Sequence, residues 1–150
     1  MKNLKIWKSG LLTVILAVGT VQAAMMTSPI QERQINELRD TVAQLLAVAA
    51  RESLISHDDI YLMNYVKTLA ASKPCAYVWV QNAEGRFVMH SEAAQIGQPA
   101  RDPLSIASAH SNKILHQIVE LNNGSQVQHI SVPVMMGEQR LATVGIGFRR

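Results

Sequence analysis

Cysteine is nearly absent from this 150-residue chain, which carries only Cys75. A single cysteine excludes an internal disulfide, even in an oxidising compartment. A nucleophilic role would need a nearby base to activate the thiol, and no residue is spaced along the sequence to provide one. We therefore expect Cys75 to pack as a small hydrophobic residue at the start of a strand.

Net charge is also missing from most of the chain. The formal net charge is +3, but three of the 14 Lys and Arg residues (Lys2, Lys5 and Lys8) lie in the first 23 residues, which leaves 11 basic residues against 11 Asp and Glu. A domain without net charge has no broad positive field that would hold a nucleic acid. Nucleic acid is therefore excluded as a partner.

Sequence motifs of catalysis and metal binding are absent as well. The chain has no Ser/His/Asp frame, no Gly-rich phosphate loop and no paired acidic motif. Its five histidines include no HxxxH pair, so they offer no typical zinc or copper site. Gly145-Ile146-Gly147 lies in a strand-like run with no helix after it, which predicts close backbone packing or a bulge. We expect no enzyme activity, no bound metal and no cofactor.

The first 23 residues have the pattern of a signal peptide. A basic segment precedes an apolar run at residues 11–21, and Val21-Gln22-Ala23 places small residues where signal peptidase reads them. Residues 6–26 are also about long enough for an uncleaved membrane anchor, although Lys8 lies inside them. Both interpretations place residues 24–150 outside the cytoplasm, as one domain.

A long amphipathic helix is predicted over residues 28–55. Apolar residues recur there at alternating spacings of three and four, and Leu46, Ala50 and Leu54 widen the stripe. The stripe comprises Ile35, Leu38, Val42, Leu45 and Ala49. Two heptads are too few to establish a coiled coil. The stripe therefore predicts packing on the chain's own sheet, a homodimer through this N-terminal helix, or both.

Two further helices are predicted. One begins at a Ser56 cap and ends near Ser72-Lys73, because the residue before Pro74 is disfavoured in the α conformation. The other begins at Asp102-Pro103, an acidic cap followed by proline, and extends to about Leu121. Gly124 then closes that helix in the left-handed conformation.

Two strand–turn–strand units complete the pattern. Residues 76–81 and 86–91 flank a turn at 82–85, and residues 126–135 and 140–148 flank a turn at 136–139. The order is helix, helix, two strands, helix, two strands. Sequential hairpins separated by helices imply an α+β fold with an antiparallel sheet.

The two hairpins carry a family resemblance. AEGRFVMHSEAAQIGQP at residues 83–99 and ISVPVMMGEQRLATVGIGF at residues 130–148 resemble the extracytoplasmic PAS-like sensor domains, called Cache or PDC domains, of bacterial sensor kinases, chemoreceptors and cyclases. The resemblance to the single-Cache type covers residues 28–148. It implies a five-stranded antiparallel sheet with a long N-terminal helix on one face. The ligand would lie on the other face, under loops and short helices.

The sequence departs from the family pattern in three ways. Phe87 stands where citrate and dicarboxylate sensors usually have a basic residue, and Ser91 replaces a frequent proline, so the anion-clamping set is incomplete. Family receptors also continue from the last strand into a second membrane helix, whereas this sequence stops at Arg150. It is therefore expected to be a free-standing sensor module or the truncated sensory part of a membrane histidine kinase or chemoreceptor.

Six residues are candidates for ligand binding. They are Tyr77, Trp79, His90, Arg101, His129 and Ser131. Tyr77 and Trp79 share a strand face and would form core or pocket wall. The resemblance places His90 beside the loop that roofs the pocket, where it would donate to a carboxylate or hold its own loop.

The other candidates supply polar groups. Arg101 would clamp a carboxylate or remain solvated. His129 and Ser131 share a face because they are two residues apart in a strand, which would be either a ligand-facing or an ordinary exposed face.

The sequence predicts a sensor of small organic metabolites, including organic acids. Its signal would pass to a separate membrane signalling partner, because the sequence contains no output domain. The alternative is an interaction module of the same fold that dimerises without a ligand.

Overall fold

A computed structural model describes residues 28–150 of the chain. Leu38–Arg150 form one compact unit, to which the residues up to Glu37 do not belong. The predicted leader lies outside the described residues. The cavities and the side chains around them belong to the unit Leu38–Arg150. None of the helices within residues 28–150 has both the length and the apolar character needed to cross a bilayer.

Helix α1 (Pro29–Ser56) packs through a face of small residues. Its buried side chains are Ala43, Leu46, Ala47, Ala49, Ala50 and Ser53. The stripe predicted from the sequence therefore divides between two faces. Ala49 belongs to the core, whereas Leu38 and Leu45 are 65% and 51% exposed. The sequence could not show this division, because both faces of the helix carry apolar residues.

The cap of helix α2 (Asp59–Ala71) lies two residues later than predicted. The cap is Asp58, whose Oδ1 accepts from the backbone N–H of Tyr61 at 3.1 Å. Ser56 instead belongs to α1, where its hydroxyl donates to the Glu52 carbonyl at 2.7 Å. His57 separates the helices with a φ of 56°. The predicted Ser56 cap is therefore wrong: a positive φ at His57 interrupts the helical path between the two residues.

The sheet has five antiparallel strands, which confirms the α+β, PAS-like architecture. They are β1 (Cys75–Asn82), β2 (Phe87–His90), β3 (Leu115–Glu120), β4 (Gln126–Met136) and β5 (Gln139–Arg149), in the order β2-β1-β5-β4-β3. One face carries buried aliphatic residues such as Val78, Ile130 and Ile146, which form a core with Leu46 and Leu62 of the first two helices. The other face carries Tyr77 and Trp79, since successive strand residues point to opposite sides.

The third helix is much shorter than predicted. Helix α3 is Pro103–His110 and begins at the predicted Asp102 cap. Residues 115–120, which the apolar spacing assigns to the same helix, form the edge strand β3. The Arg140 guanidinium helps to end the helix by donating to the Ser111 carbonyl at 2.5 Å and to Asn112 Oδ1 at 2.7 Å.

The apolar residues after His110 suit a helix or a strand by spacing alone. Pairing decides between them, because Leu115 to Glu120 align with Ser131 to Gln126 of β4. Gly124, with a φ of 78°, turns the chain between these strands instead of closing a helix. This strand supplies the fifth member of the sheet that the family resemblance implied.

Candidate functional site

A cavity of about 660 Å³ lies on the sheet face that carries Tyr77 and Trp79. The volume is in the range of small-molecule sites. Its walls come from β1, β2, the loop after β2, α3 and the end of β3. The lining residues are Tyr77, Trp79, Phe87, His90, Glu92, Gln95, Gln98, Pro99, Arg101, Asp102, Leu104, Ser105, Val119, Leu121 and Asn122.

The loop after β2 is held in place by main-chain hydrogen bonds. The N–H of Phe87 donates to the Gln98 carbonyl at 3.0 Å, and the N–H of Gly97 donates to the Phe87 carbonyl at 2.7 Å. Gly97 has a φ of 82°, which a residue with a Cβ rarely adopts. The Gly-Gln-Pro segment therefore forms a fixed wall of the cavity.

Two glycines of β5 make room for the aromatic floor. Gly145 is paired with Trp79 and Gly147 with Tyr77 across the β1–β5 ladder. A Cβ on either glycine would overlap the ring of its partner. The Gly-x-Gly motif thus serves the close packing that the sequence predicted, and it lets both rings lie flat on the sheet.

His129 lies in the same layer, fully buried. Its ring stacks on those of Trp79 and Tyr77, with centroid distances of 5.7 and 5.8 Å. Nδ1 is 3.0 Å from the Tyr77 hydroxyl, and Nε2 is 3.4 Å from the Ser108 hydroxyl of α3. Burial lowers the pKa of His129 to about 4, and the Asp102 carboxylate opposes this shift only in part. The imidazole is therefore neutral at pH 7.

His90 holds the beginning of the loop through one ring nitrogen. Its Nδ1 accepts from the backbone N–H of Glu92 at 2.8 Å. A neutral imidazole that accepts at Nδ1 carries its proton on Nε2. Burial lowers the pKa of His90, while the charges of Glu92 and Asp102 oppose the shift. The neutral ring thus has one N–H, at Nε2, available to a ligand.

The Asp102 carboxylate acts electrostatically on three ring residues, Tyr77, His90 and His129. Its Oδ1 caps α3 by accepting from the Ser105 N–H at 2.8 Å. Its charge raises the pKa of Tyr77, an effect secondary to burial, and opposes the lowering of the pKa at His90 and at His129. Arg101, next to it, lines the cavity, and within residues 28–150 its guanidinium makes no hydrogen bond or ion pair.

The structure brings four of the six candidates to the cavity surface, namely Tyr77, Trp79, His90 and Arg101. His129 and Ser131 lie beneath it in the sheet, both essentially unexposed, and Ser131 is paired with Gly145. Sequence reasoning missed Glu92 and assigned Asp102 only to a helix cap. One sequence pattern could have identified Asp102 as a cavity residue: it stands next to Arg101, so that two opposite charges follow the predicted pocket loop.

A second, smaller cavity of about 380 Å³ adjoins the first. Tyr77, His90 and Glu92 line both cavities, and Ala70, Ala76 and Ser91 complete the second. Among residues 28–150, no three His, Cys, Asp or Glu side chains are grouped in a way that would hold a metal ion. The side chains that line the first cavity can supply hydrogen bonds, charges and an aromatic face to an organic molecule.

Solved structures share the fold. The sensor domain of E. coli DcuS superposes with a TM-score of 0.57 at 18% identity, covering 73% of this chain and 84% of that one. The sensory domain of the Campylobacter jejuni chemoreceptor Tlp3, with isoleucine bound, superposes with a TM-score of 0.57 at 14% identity. The match covers 97% of this chain and 61% of that one. The sensor domain of the V. cholerae histidine kinase DctB superposes with a TM-score of 0.53 at 14% identity. The match covers 79% of this chain and 51% of that one. The chain thus spans most of the DcuS domain but only half to three fifths of the other two.

Sequence comparison identifies the family. No curated protein matches the chain significantly. The family of single Cache domain 3 matches residues 24–150, which is most of the sequence and includes every element of the sheet. The chain belongs to the single Cache domain 3 family.

Proposed function

We propose that this Cache domain binds a small organic metabolite in the 660 Å³ cavity and reports its presence to a bacterial signalling system. The observation that carries the proposal is the cavity itself. An aromatic floor and several polar side chains converge there, on the sheet face that does not pack on the first two helices. Such a combination is typical of small-molecule sites.

The polar groups of the cavity suit a ligand with a carboxylate, as organic acids have. The Arg101 guanidinium presents parallel N–H donors that match a carboxylate, and the Nε2–H of His90 adds another donor. Tyr77 and Trp79 would contact the apolar part of the ligand. His129 and Ser131 would act from beneath, by fixing the floor on which the ligand rests.

Cache sensor domains are extracytoplasmic, and we propose the same for this chain. The basic and apolar segments of residues 1–23 support export by a signal peptide or retention by an N-terminal anchor. Residues 24–150 would then form a single periplasmic domain. We propose that a membrane signalling protein carries the signal inward. Because the family consists of sensor domains, we propose no enzymatic activity.

A homodimer through α1 is part of the proposal. Four exposed apolar residues are spaced as in a coiled coil: Leu38 and Leu45 are seven apart, as are Val48 and Ile55, and all four are 47–65% exposed. Thr41 and Glu52 occupy the remaining positions of this stripe, so the face is not fully apolar. It is better suited to a reversible dimer than to a permanent one.

A thermal-shift screen of organic acids and amino acids tests the binding site. A ligand at about 100 times its Kd adds about 2.7 kcal/mol to the free energy of unfolding, so a true ligand raises the Tm by several degrees. Leu104→Trp places an indole at the cavity wall and should abolish the response. Ile106→Trp adds the same group to an exposed position of α3 and should preserve it.

The screen also has a result that would overturn the proposal. If no compound in a broad panel raises the Tm, the cavity is not a ligand site and the binding function fails. Equal responses in the Leu104→Trp and Ile106→Trp variants would show that binding occurs elsewhere.

A further inference from the structure

The position of one proton can be assigned by following the hydrogen bonds from α3 to the cavity floor. The Ser108 hydroxyl donates its only proton to the Leu104 carbonyl at 2.8 Å. Ser108 Oγ must therefore accept from His129 Nε2, which lies 3.4 Å away. Since His129 is neutral, its Nδ1 has no proton and accepts from the Tyr77 hydroxyl at 3.0 Å.

This chain of bonds determines what Tyr77 can offer to a ligand. Its hydroxyl has one proton, and that proton is already given to His129. The Tyr77 oxygen therefore presents only lone pairs to any other group. A ligand atom that meets this oxygen must be a hydrogen-bond donor, such as an N–H, and not a carboxylate oxygen.

The charges around Tyr77 favour the same kind of group. Two carboxylates, Glu92 and Asp102, line the cavity, against one guanidinium, that of Arg101, and a neutral His90. Only Oδ1 of Asp102 is used in capping α3, and its other oxygen makes no hydrogen bond with any residue between 28 and 150. The Glu92 carboxylate also lacks a hydrogen-bonding partner in this part of the chain.

The aromatic floor is compatible with a positive charge. The face of an aromatic ring attracts a cation, and the ring of Tyr77, which is only partly buried, lines the cavity. Trp79 lies beneath it with only 2% of its surface exposed. A dicarboxylate ligand could pair one carboxylate with the Arg101 guanidinium. Its second carboxylate would then lie near the carboxylates of Asp102 and Glu92. Both carboxylates are exposed, and a like-charge contact with them is still unfavourable.

We propose that Tyr77 and Asp102 form a subsite for a protonated amine, so that the ligand is a small zwitterion with its carboxylate at Arg101. The inference rests on the proposed function, because it concerns the same cavity. It excludes a simple mono- or dicarboxylic acid as the preferred ligand. It also gives His129 and Ser108 the role of positioning residues, since they fix the orientation of the Tyr77 hydroxyl.

Matched compounds test the amine subsite by titration calorimetry with the purified full-length chain. One series is norvaline, 2-hydroxypentanoate and pentanoate. The other is aspartate, malate and succinate. Within a series only the group at the second carbon changes, from ammonium to hydroxyl to hydrogen. A hydrogen bond to a charged group contributes about 1.5–3 kcal/mol, so we expect the amino compound to bind at least about 10-fold more tightly than the others.

Variants locate the subsite. Asp102→Asn keeps a side chain that caps helices but removes the charge, and should weaken binding of the amino compound about 10-fold or more. Tyr77→Phe removes the acceptor oxygen and should weaken it as well. Glu138→Gln removes one carboxylate from the exposed turn between β4 and β5 and should have no effect. The Tm of each variant without ligand shows whether the fold is retained.

The results of these titrations distinguish a failure of the amine subsite from a failure of the proposed sensing function. Tighter binding of an amino compound, lost in Asp102→Asn, supports the subsite. Equal or tighter binding of the hydroxy or unsubstituted acids overturns the subsite and leaves the sensing function intact. Unchanged affinity of the amino compound in Asp102→Asn also overturns the subsite. Absence of binding by all six compounds, together with a negative screen, overturns both.

Discussion

Gly145 lies directly beneath the indole ring of Trp79, its cross-strand partner between β5 and β1. The ring can rest on the sheet only because no Cβ stands between them. The same relationship holds for Gly147 and Tyr77. The height of the cavity floor is thus set by two residues that contribute no side chain.

Replacing Gly145 with alanine should displace the indole and disturb the floor. Overpacking of this kind costs about 1–3 kcal/mol, so the free energy of unfolding should fall by that amount. The fluorescence of Trp79, measured in a Trp7→Phe background where it is the sole tryptophan, should shift to longer wavelength as the ring gains solvent.

Gly137→Ala is the control for this substitution. Gly137 lies in a turn with a φ of 61°, and a Cβ added there would meet open space. Its replacement should cost about 1 kcal/mol through backbone strain and leave the Trp79 emission unchanged. An unchanged emission in Gly145→Ala would contradict the packing of the Trp79 ring on Gly145.

Stability should depend on pH through His129. An unfolded histidine has a pKa of about 6.5, whereas burial lowers the pKa of His129 to about 4. Between these values the unfolded chain binds a proton that the folded protein does not. The free energy of unfolding should therefore fall as the pH drops from about 6.5 towards 4, by on the order of 3 kcal/mol.

Denaturant titrations at several pH values would measure this contribution. The lowered pKa of His90 acts in the same direction, so the informative quantity is the difference between the wild type and His129→Asn. We expect a clearly shallower pH dependence in the variant. Parallel curves for the two proteins would show that His129 titrates normally in the fold.

The thiol of Cys75 should be unreactive while the protein is folded. Its side chain is 1% exposed, and burial raises its pKa to about 11 despite the opposing charge of Arg149. Since the thiolate is the reactive form, a thiol-specific reagent at pH 8 should modify the protein only after denaturant is added. Ala83→Cys in a Cys75→Ala background, an exposed turn position, should react at once. Rapid modification of native Cys75 would contradict its burial.

The proposed dimer makes a prediction about neighbouring residues on α1. Leu45→Glu places a charge in the exposed apolar stripe and should shift the mass in solution from dimer to monomer, because like charges would meet across the interface. Gln44→Glu adds the same charge one residue away, at another exposed position, and should leave the mass unchanged. Light scattering at several concentrations measures both. A monomeric wild type would rule out the dimer.

Local signals were sufficient for most of the fold. Asp102-Pro103 identified a helix start because a cap and a proline act within one turn, and the two hairpins were predicted to within one or two residues. β3 was missed because its apolar spacing fits a helix as well as a strand. Only pairing with β4, a contact between separate segments, decides the matter.

The site could be predicted only in part for a similar reason. Tyr77, Trp79 and His90 were identified from strand alternation and the family pattern. The burial of His129 and the proximity of Asp102 to both histidines depend on how α3 lies over the sheet, which no local pattern encodes.

NMR titration of ¹⁵N-labelled protein with the strongest compound from the screen tests the central claim most directly. If the cavity is the binding site, the largest amide shift changes should occur at Trp79, His90 and Arg101, and should saturate with a single Kd. Changes confined to α1, or none at saturating concentrations of a compound that raises the Tm, would contradict the assignment of this cavity as the sensing site.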